Sequence, residues 1–344
     1  MTNMTDRARL HSILQYCRPH GSSGVSDLVR DVFAGYDYEI FNSPSGEPLA
    51  LIIEVDPHLT STLFSSHLDT VHAKAGRQQV FWDEDLALFY KEDEAGCLGA
   101  DDGAGVWLML NMVDAGVPGH YFFHYGEERG GVGSRGMSSY HSRYLSRFQR
   151  AIAFDRRGTG DVITHQAAGR CCSDEFAVAL SSALNKFDGM RYKPCSGGIF
   201  TDTANYIYEI GECTNLSCGY QDEHSKDEVL DFEHLSAMRL ACINLSWEDL
   251  PSVRAPGEED PDAVGWNLAS ARWGSQHNLG SVKKVSAPIS WDGGGTDLSL
   301  WEDEYVGPDM NDLRSMTYGG LHQWVQDNLH DPDILTDVLW AALS

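Results

Sequence analysis

The chain has 344 residues, of which 42% are hydrophobic, 22% charged and 10% aromatic, a globular composition that excludes disordered, collagen-like and coiled-coil chains. Its formal net charge of −26 repels phosphate backbones and anionic lipid, so nucleic acid and membrane surfaces are poor partners. Fourteen histidines beside 51 carboxylates are a large stock of nitrogen and oxygen donors, which makes divalent metal the first question.

No apolar run suits a signal-peptide core or a membrane span, so the expectation is a soluble, cytoplasmic protein. Residues 7–34 carry apolar positions at helical spacing on both sides of RPHGSSG, and Ser22 or Ser23 can start the second helix. YDYEIF, LALIIEV and STLFSSHLDTV read as strands, GAGVWLMLNMV as a helix ending near Gly116, and HYFFHY as a buried strand running into a Gly-rich loop, GEERGGVGSRG. RAIAFDRRG is an apolar strand with an acid at its end. DEFAVALSSALNKF and DFEHLSAMRLACINLSWEDL are helices, with TNLSCGY a strand between them. Strands alternating with helices predict an α/β domain over residues 1–250, with a mixed, mostly parallel central sheet and helices on both faces. After residue 250, PSVRAPGEEDPDAVG reads as a linker or exposed loop. Residues 251–344 hold six of the nine tryptophans, which predicts a small acidic extension or domain of unassigned role rather than a disordered tail. The eight cysteines are scattered and form no CxxC pair, so they read as reduced, mostly buried thiols.

Five segments place metal-capable side chains at strand or loop edges, where an open α/β sheet binds ligands. In His67-Leu68-Asp69 the two polar residues face one side of an extended segment, so Asp69 can orient the His67 ring; a polar strand end is the alternative. Asp101 and Asp102 open a helix, as a metal site or as an acidic first turn. Glu127 and Glu128 are adjacent carboxylates that repel unless a cation or proton intervenes, and a solvated acidic loop is the alternative. Asp155 ends its strand beside Arg156 and Arg157, either as a ligand or in a salt bridge. His224 lies in QDEHSKDE, as a ligand or a surface histidine.

Taken in order, SSHLDTV, LGADDGAG, YGEERGGVGSRG, AFDRRG and DEHSKDE resemble the co-catalytic dizinc exopeptidases, a superfamily that includes dizinc aminopeptidases, tripeptidase T and carboxypeptidase G relatives. The N-terminal PHGSSGVSDLV is similar to the entry helix of that group, with Asp27 in place of the usual acid. The likeness covers roughly residues 8–248. It implies that His67 and Asp155 hold one zinc, Glu128 and His224 the other, and that Asp101 bridges them, with cobalt or manganese as possible substitutes. It further implies Glu127 as general base, Asp69 as the group orienting His67, and a cis peptide bond after Asp101.

Relatives of the carboxypeptidase G and tripeptidase T type insert a lid or dimerisation domain between the last acid and the last histidine. Here 68 residues separate Asp155 from His224, enough for a helix and two strands, so the resemblance implies the compact form. CSGGIFTDTANY resembles the segment lining the substrate pocket of the group, which makes Gly197, Gly198, Thr201 and Asp202 candidate pocket residues; a Gly-rich turn with a capping Asp is the alternative. A similar string, DGGGTDLSLW, recurs at 292–301.

The expected function is a metal-dependent hydrolase of peptide or amide bonds, first an aminopeptidase and possible homo-oligomer. An N-acyl amino acid deacylase or carboxypeptidase is the alternative, for which Arg156, Arg157, Arg170 and Arg191 offer cations. A single-zinc acyltransferase of the glutaminyl-cyclase type and a non-catalytic receptor-like module are the more distant readings.

Overall fold

The architecture is taken from a computed structural model that describes residues 6–92, 96–166 and 169–258. The six tryptophans after residue 250 and the string DGGGTDLSLW lie outside the described residues. Eight strands form the central sheet: β1 (Glu39–Asn42), β2 (Pro48–Val55), β3 (Thr62–His67), β4 (Gly119–His124), β5 (Arg150–Arg156), β6 (Asp161–Ile163), β7 (Lys193–Cys195) and β8 (Glu212–Ser217), in the spatial order β7-β6-β8-β5-β3-β4-β2-β1. The β7–β6, β8–β5, β5–β3 and β3–β4 pairings are parallel and the other three antiparallel, the mixed, mostly parallel sheet predicted.

Side chains alternate between two cores, as strand geometry requires. From β2, Leu51 and Ile53 enter the larger core, which also takes Leu10 of helix α1 (Asp6–Leu14), Leu28 of α2 (Ser23–Val32) and Trp107 of α3 (Ala100–Asp114). On the same face lie Leu180 of α5 (Asp174–Leu184) and Leu235 of α6 (Phe232–Asn244). Ala50 and Ile52 of β2 face the other way, against Met137 and Leu145 of α4 (Val132–Leu145). Ser22 is the cap of α2, its side chain accepting the N–H of Gly24. Among the described residues no helix is long and apolar enough to cross a membrane. The eight cysteines are free, six of them buried.

Two stretches depart from the sequence reading. GEERGGVGSRG is not a plain loop: a 3-10 turn (Glu127–Arg129) leads into α4. A Cβ on Gly133 would come within 2.2 Å of the Leu49 carbonyl oxygen, and one on Gly136 within 2.4 Å of the Leu49 side chain. These glycines therefore let a helix press onto β2, whereas in sequence they read as turn residues. The segment between Asp155 and His224 holds more than a helix and two strands: α5, the strands β6, β7 and β8, and a short hairpin (His165–Gln166 with Gly169–Arg170). The linker or exposed loop expected after residue 250 is loop and mostly exposed through residue 258, but Arg254 within it is buried and donates to the Gly211 carbonyl at 3.0 Å.

A small second sheet, unforeseen in the sequence, orders Tyr220–Gln221, Val229–Asp231, Leu88–Tyr90 and Phe81–Asp83. Its first two strands pair antiparallel, and the loop between them carries His224.

Candidate metal and active site

The adjacent parallel strands β4, β3 and β5 end on the same side of the sheet, and the chain passes from β3 to β4 on one side and then to β5 on the other. Such a reversal of strand order leaves a crevice at the strand ends. His67 ends β3, Glu127 and Glu128 follow β4, Asp155 lies at the end of β5, and Asp101 opens α3. His224 arrives from the small sheet.

Asp101 stands between the two histidines. Its Oδ1 lies 3.0 Å from His67 Nε2 and its Oδ2 3.1 Å from His224 Nε2. His67 Nε2 is also 3.5 Å from Asp155 Oδ1 and 4.0 Å from Glu127 Oε2, and His224 Nε2 is 3.1 Å from Glu128 Oε1. The six side chains named from the sequence thus converge, although His67 and His224 are far apart along the chain. The peptide bond between Asp101 and Asp102 is cis.

The groups around this cluster fix its parts. His67 Nδ1 meets the backbone oxygen of Asp69 at 3.0 Å, while the Asp69 carboxylate is 3.8 Å from that nitrogen. The carboxylate instead accepts the N–H groups of Gly126 (2.8 Å), Glu127 (3.1 Å) and Glu128 (3.3 Å). Asp69 therefore orients His67 through its carbonyl and the glutamate turn through its side chain. Asp155 accepts hydrogen bonds from Thr201 Oγ1 at 2.6 Å and Tyr220 OH at 3.1 Å. The Asp102 carboxylate accepts the N–H groups of His67 (3.1 Å) and Gly105 (2.9 Å), which ties the start of α3 to the end of β3.

The cluster is electrostatically unbalanced. Burial, reinforced by neighbouring acids, pushes Glu127 and Asp102 well above the usual carboxylate range, Glu128 up to about 7 and Asp155 upward. Burial also acts on Asp101, but its bonds to His224 and His67 outweigh it and hold this carboxyl low. In both imidazoles burial lowers the pKa and is overcome by the acids around them, which raise His67 well above its ordinary value and His224 to about 11. Carboxylates crowded together in a buried cluster and facing imidazole nitrogens at 3.0–3.5 Å form a donor set that divalent cations would satisfy. His67, Asp101 and Glu128 bring one donor atom each to within 4.8 Å of one another, as do His67, Asp102 and Asp155. Nitrogen and oxygen donors without thiolate suit zinc.

A cleft of about 200 Å³ opens over the cluster, lined in part by Asp101, Glu127, Asp155 and His224. Of the pocket residues expected from sequence, Gly198 and Arg156 line it. Gly197 is exposed to solvent and outside the lining. Thr201 and Asp202 are buried behind the cleft, Thr201 on Asp155 and Asp202 with an oxygen 3.3 Å from His124 Nδ1. Ile199, Phe200 and Tyr220 complete the wall, with Gln166 beside them. Sequence reasoning did not single out Tyr220, Asn215 or Glu228, although Glu228 lies within DEHSKDE. Asn215 donates to the Asp155 backbone oxygen at 2.7 Å and accepts the Asp155 N–H at 2.9 Å.

No protein-family model matches the chain, and no curated protein matches it significantly. Solved structures do. A tripeptidase from Staphylococcus aureus superposes with a TM-score of 0.58 at 14% identity, over 70% of this chain and 98% of that one. Aminopeptidase PepT from Bacillus cereus gives 0.56 at 13% identity, over 70% and 98%. The TET1 peptidase of Pyrococcus horikoshii, described as assembling into a tetrahedron or a large octahedral shell, gives 0.50 at 15% identity, over 70% and 100%. The described chain has the fold of these peptidases.

Proposed function

We propose that the protein is a metal-dependent exopeptidase, an aminopeptidase that hydrolyses the first peptide bond of substrates with a free N-terminus. The observation that carries this reading is the placement of Asp101, whose two oxygens each face a different histidine on the floor of a cleft that Glu127 also lines. In it, His67 and Asp155 would hold one ion, Glu128 and His224 the other, and Asp101 both. Two zinc ions so held would supply Lewis acidity, activating water near neutral pH and polarising the scissile carbonyl.

The remaining chemistry belongs to the chain. Glu127 takes a proton from the attacking water as the new C–O bond forms, and delivers it to the amine nitrogen as the C–N bond breaks. Burial raises the affinity of its carboxylate for a proton. The Asp69 carboxylate keeps that turn in place. The arginines of the cleft are tied in ion pairs, Arg156 with Asp161 at 3.3 Å and Arg157 with Glu223 at 2.9 Å, which favours recognition of a substrate ammonium over a carboxylate.

The test is metal analysis of purified protein together with a panel of aminoacyl anilides and N-acyl amino acids. Two zincs and aminoacyl cleavage support the proposal. Cleavage of N-acyl amino acids alone moves the assignment to a deacylase, one zinc moves it to a cyclase-type acyltransferase, and no metal removes it.

A further inference from the structure

Helix α3 starts at an awkward place. Gly99 is its cap, with φ of +76°, and has no side chain to accept an N–H. A larger residue would be strained there, because a Cβ would stand 3.2 Å from the His72 ring and 3.3 Å from Thr70 Cγ2 on a backbone that L side chains rarely adopt. The acceptor comes instead from another part of the chain. Glu228, only 1% exposed, takes the N–H of Gly99 on Oε2 and that of Asp101 on Oε1, each at 2.9 Å.

Glu228 lies four residues beyond His224, in the same hairpin loop. The loop that delivers one histidine is therefore bonded directly to the backbone of the acid that histidine faces. On the other side of Gly99, the buried guanidinium of Arg18 donates to the Gly99 carbonyl at 3.2 Å and to that of Leu68, the residue after His67, at 2.8 Å. Three distant segments are thus locked together without passing through the donor atoms.

We propose that Glu228 is a positioning residue that sets the distance between the Asp101 carboxylate and His224, and so the affinity of the Glu128–His224 locus for its ion. Hydrogen bonds from two amides to one carboxylate are charge-assisted and stiff, and a buried carboxylate that loses them pays a desolvation penalty, so the loop and the helix start move as one unit. This inference rests on the two-ion reading above and adds to it a residue outside the donor set.

The test is titration of metal-free protein with Co²⁺, followed by calorimetry and by the visible absorption of the bound ion, in wild type, Glu228→Gln and Glu212→Gln. Glu212 is the control. It is likewise buried and accepts the N–H groups of Ser173 (2.7 Å), Val253 (2.8 Å) and Arg254 (2.9 Å), with no contact to the cluster. The expected result is at least about tenfold weaker binding of one of the two Co²⁺ ions and an altered spectrum in Glu228→Gln, with both ions unchanged in Glu212→Gln. If Glu228→Gln fails to fold, Glu228→Asp, which keeps the charge but shortens the reach, is expected to show the same weakening. Two ions bound by wild type and by the Glu228 variant with equal affinity would overturn the positioning role alone, whatever the melting temperatures. A wild type that binds no Co²⁺ would overturn the two-ion reading and this inference with it.

Discussion

The Asp69 carboxylate accepts the backbone N–H of Glu127 at 3.1 Å. Its neighbours in that turn, Gly126 and Glu128, donate to the same carboxylate, so one buried side chain holds the segment carrying both the proposed base and a proposed ligand. Asp69→Asn keeps the size but replaces one acceptor oxygen by an amide that cannot accept. Because the His67 ring is held by the Asp69 backbone oxygen, the histidine should stay in place. A fall in kcat of about 10- to 100-fold with KM nearly unchanged is expected from steady-state kinetics. Wild-type kcat in this variant would mean that the turn holds without the carboxylate.

Glu127→Gln separates proton transfer from metal binding. The side chain lines the cleft at 4.0 Å from His67 Nε2, farther than the other acids facing that nitrogen. Metal content by mass spectrometry should remain that of wild type, while turnover falls by about 10²- to 10⁴-fold, the usual worth of a positioned base. Loss of metal in step with turnover would instead make Glu127 a ligand.

Much of this was legible in the sequence for a definite reason. Buried parallel strands are short apolar runs, and the acids and histidines that end them stand out because a charged group at a strand end needs a compensating partner. Each of His67, Asp101, Glu128 and Asp155 is ambiguous by itself, and only their order along the chain, through the resemblance, marked them as a set. What stayed hidden depends on contacts between distant segments. Helix α4 was masked by Gly133 and Gly136, whose role is clearance over Leu49. The strands carrying the His224 loop are two and three residues long, too short for periodicity to register. Glu228 and Arg18 act on backbone groups, which no side-chain pattern encodes. Thr201 and Asp202 were placed on the cleft by resemblance alone, and their burial turns Thr201 into a support for Asp155.

Gly198 gives a steric test of the cleft wall. A Cβ there would lie 2.2 Å from the His165 carbonyl oxygen and 2.4 Å from Ile163 Cγ2, distances that backbone and packed side chain cannot yield without moving. Gly198→Ala should therefore displace the wall formed by residues 198–200, destabilise the protein by about 1–3 kcal/mol and raise KM more than it lowers kcat. Thermal melting and steady-state kinetics report the two effects, and a variant equal to wild type in both would show that the wall has room to spare.

Acid stability should depend on His72, a buried ring held between Thr70 Oγ1 at 2.7 Å and Gln78 Oε1 at 3.1 Å. Burial, together with the nearby Arg18 and Lys91 charges, lowers its pKa to about 4 from the ordinary 6.5. The native state thus keeps the ring neutral where the unfolded chain already binds a proton. Its contribution is complete above pH 6.5, declines as the pH falls through 6.5 toward 4, and amounts to about 3 kcal/mol at most. Acids raised by burial act in the opposite sense: Glu209, brought to about 7, stabilises the native state more at low pH than at neutral pH. The net slope of the wild type therefore mixes several groups, and the informative quantity is the difference between wild type and His72→Gln, which cannot charge. Urea unfolding of metal-free protein at pH 7.5 and pH 4.5 should show wild type losing more stability than His72→Gln across that interval. Equal losses in the two proteins would assign the acid sensitivity to groups other than His72.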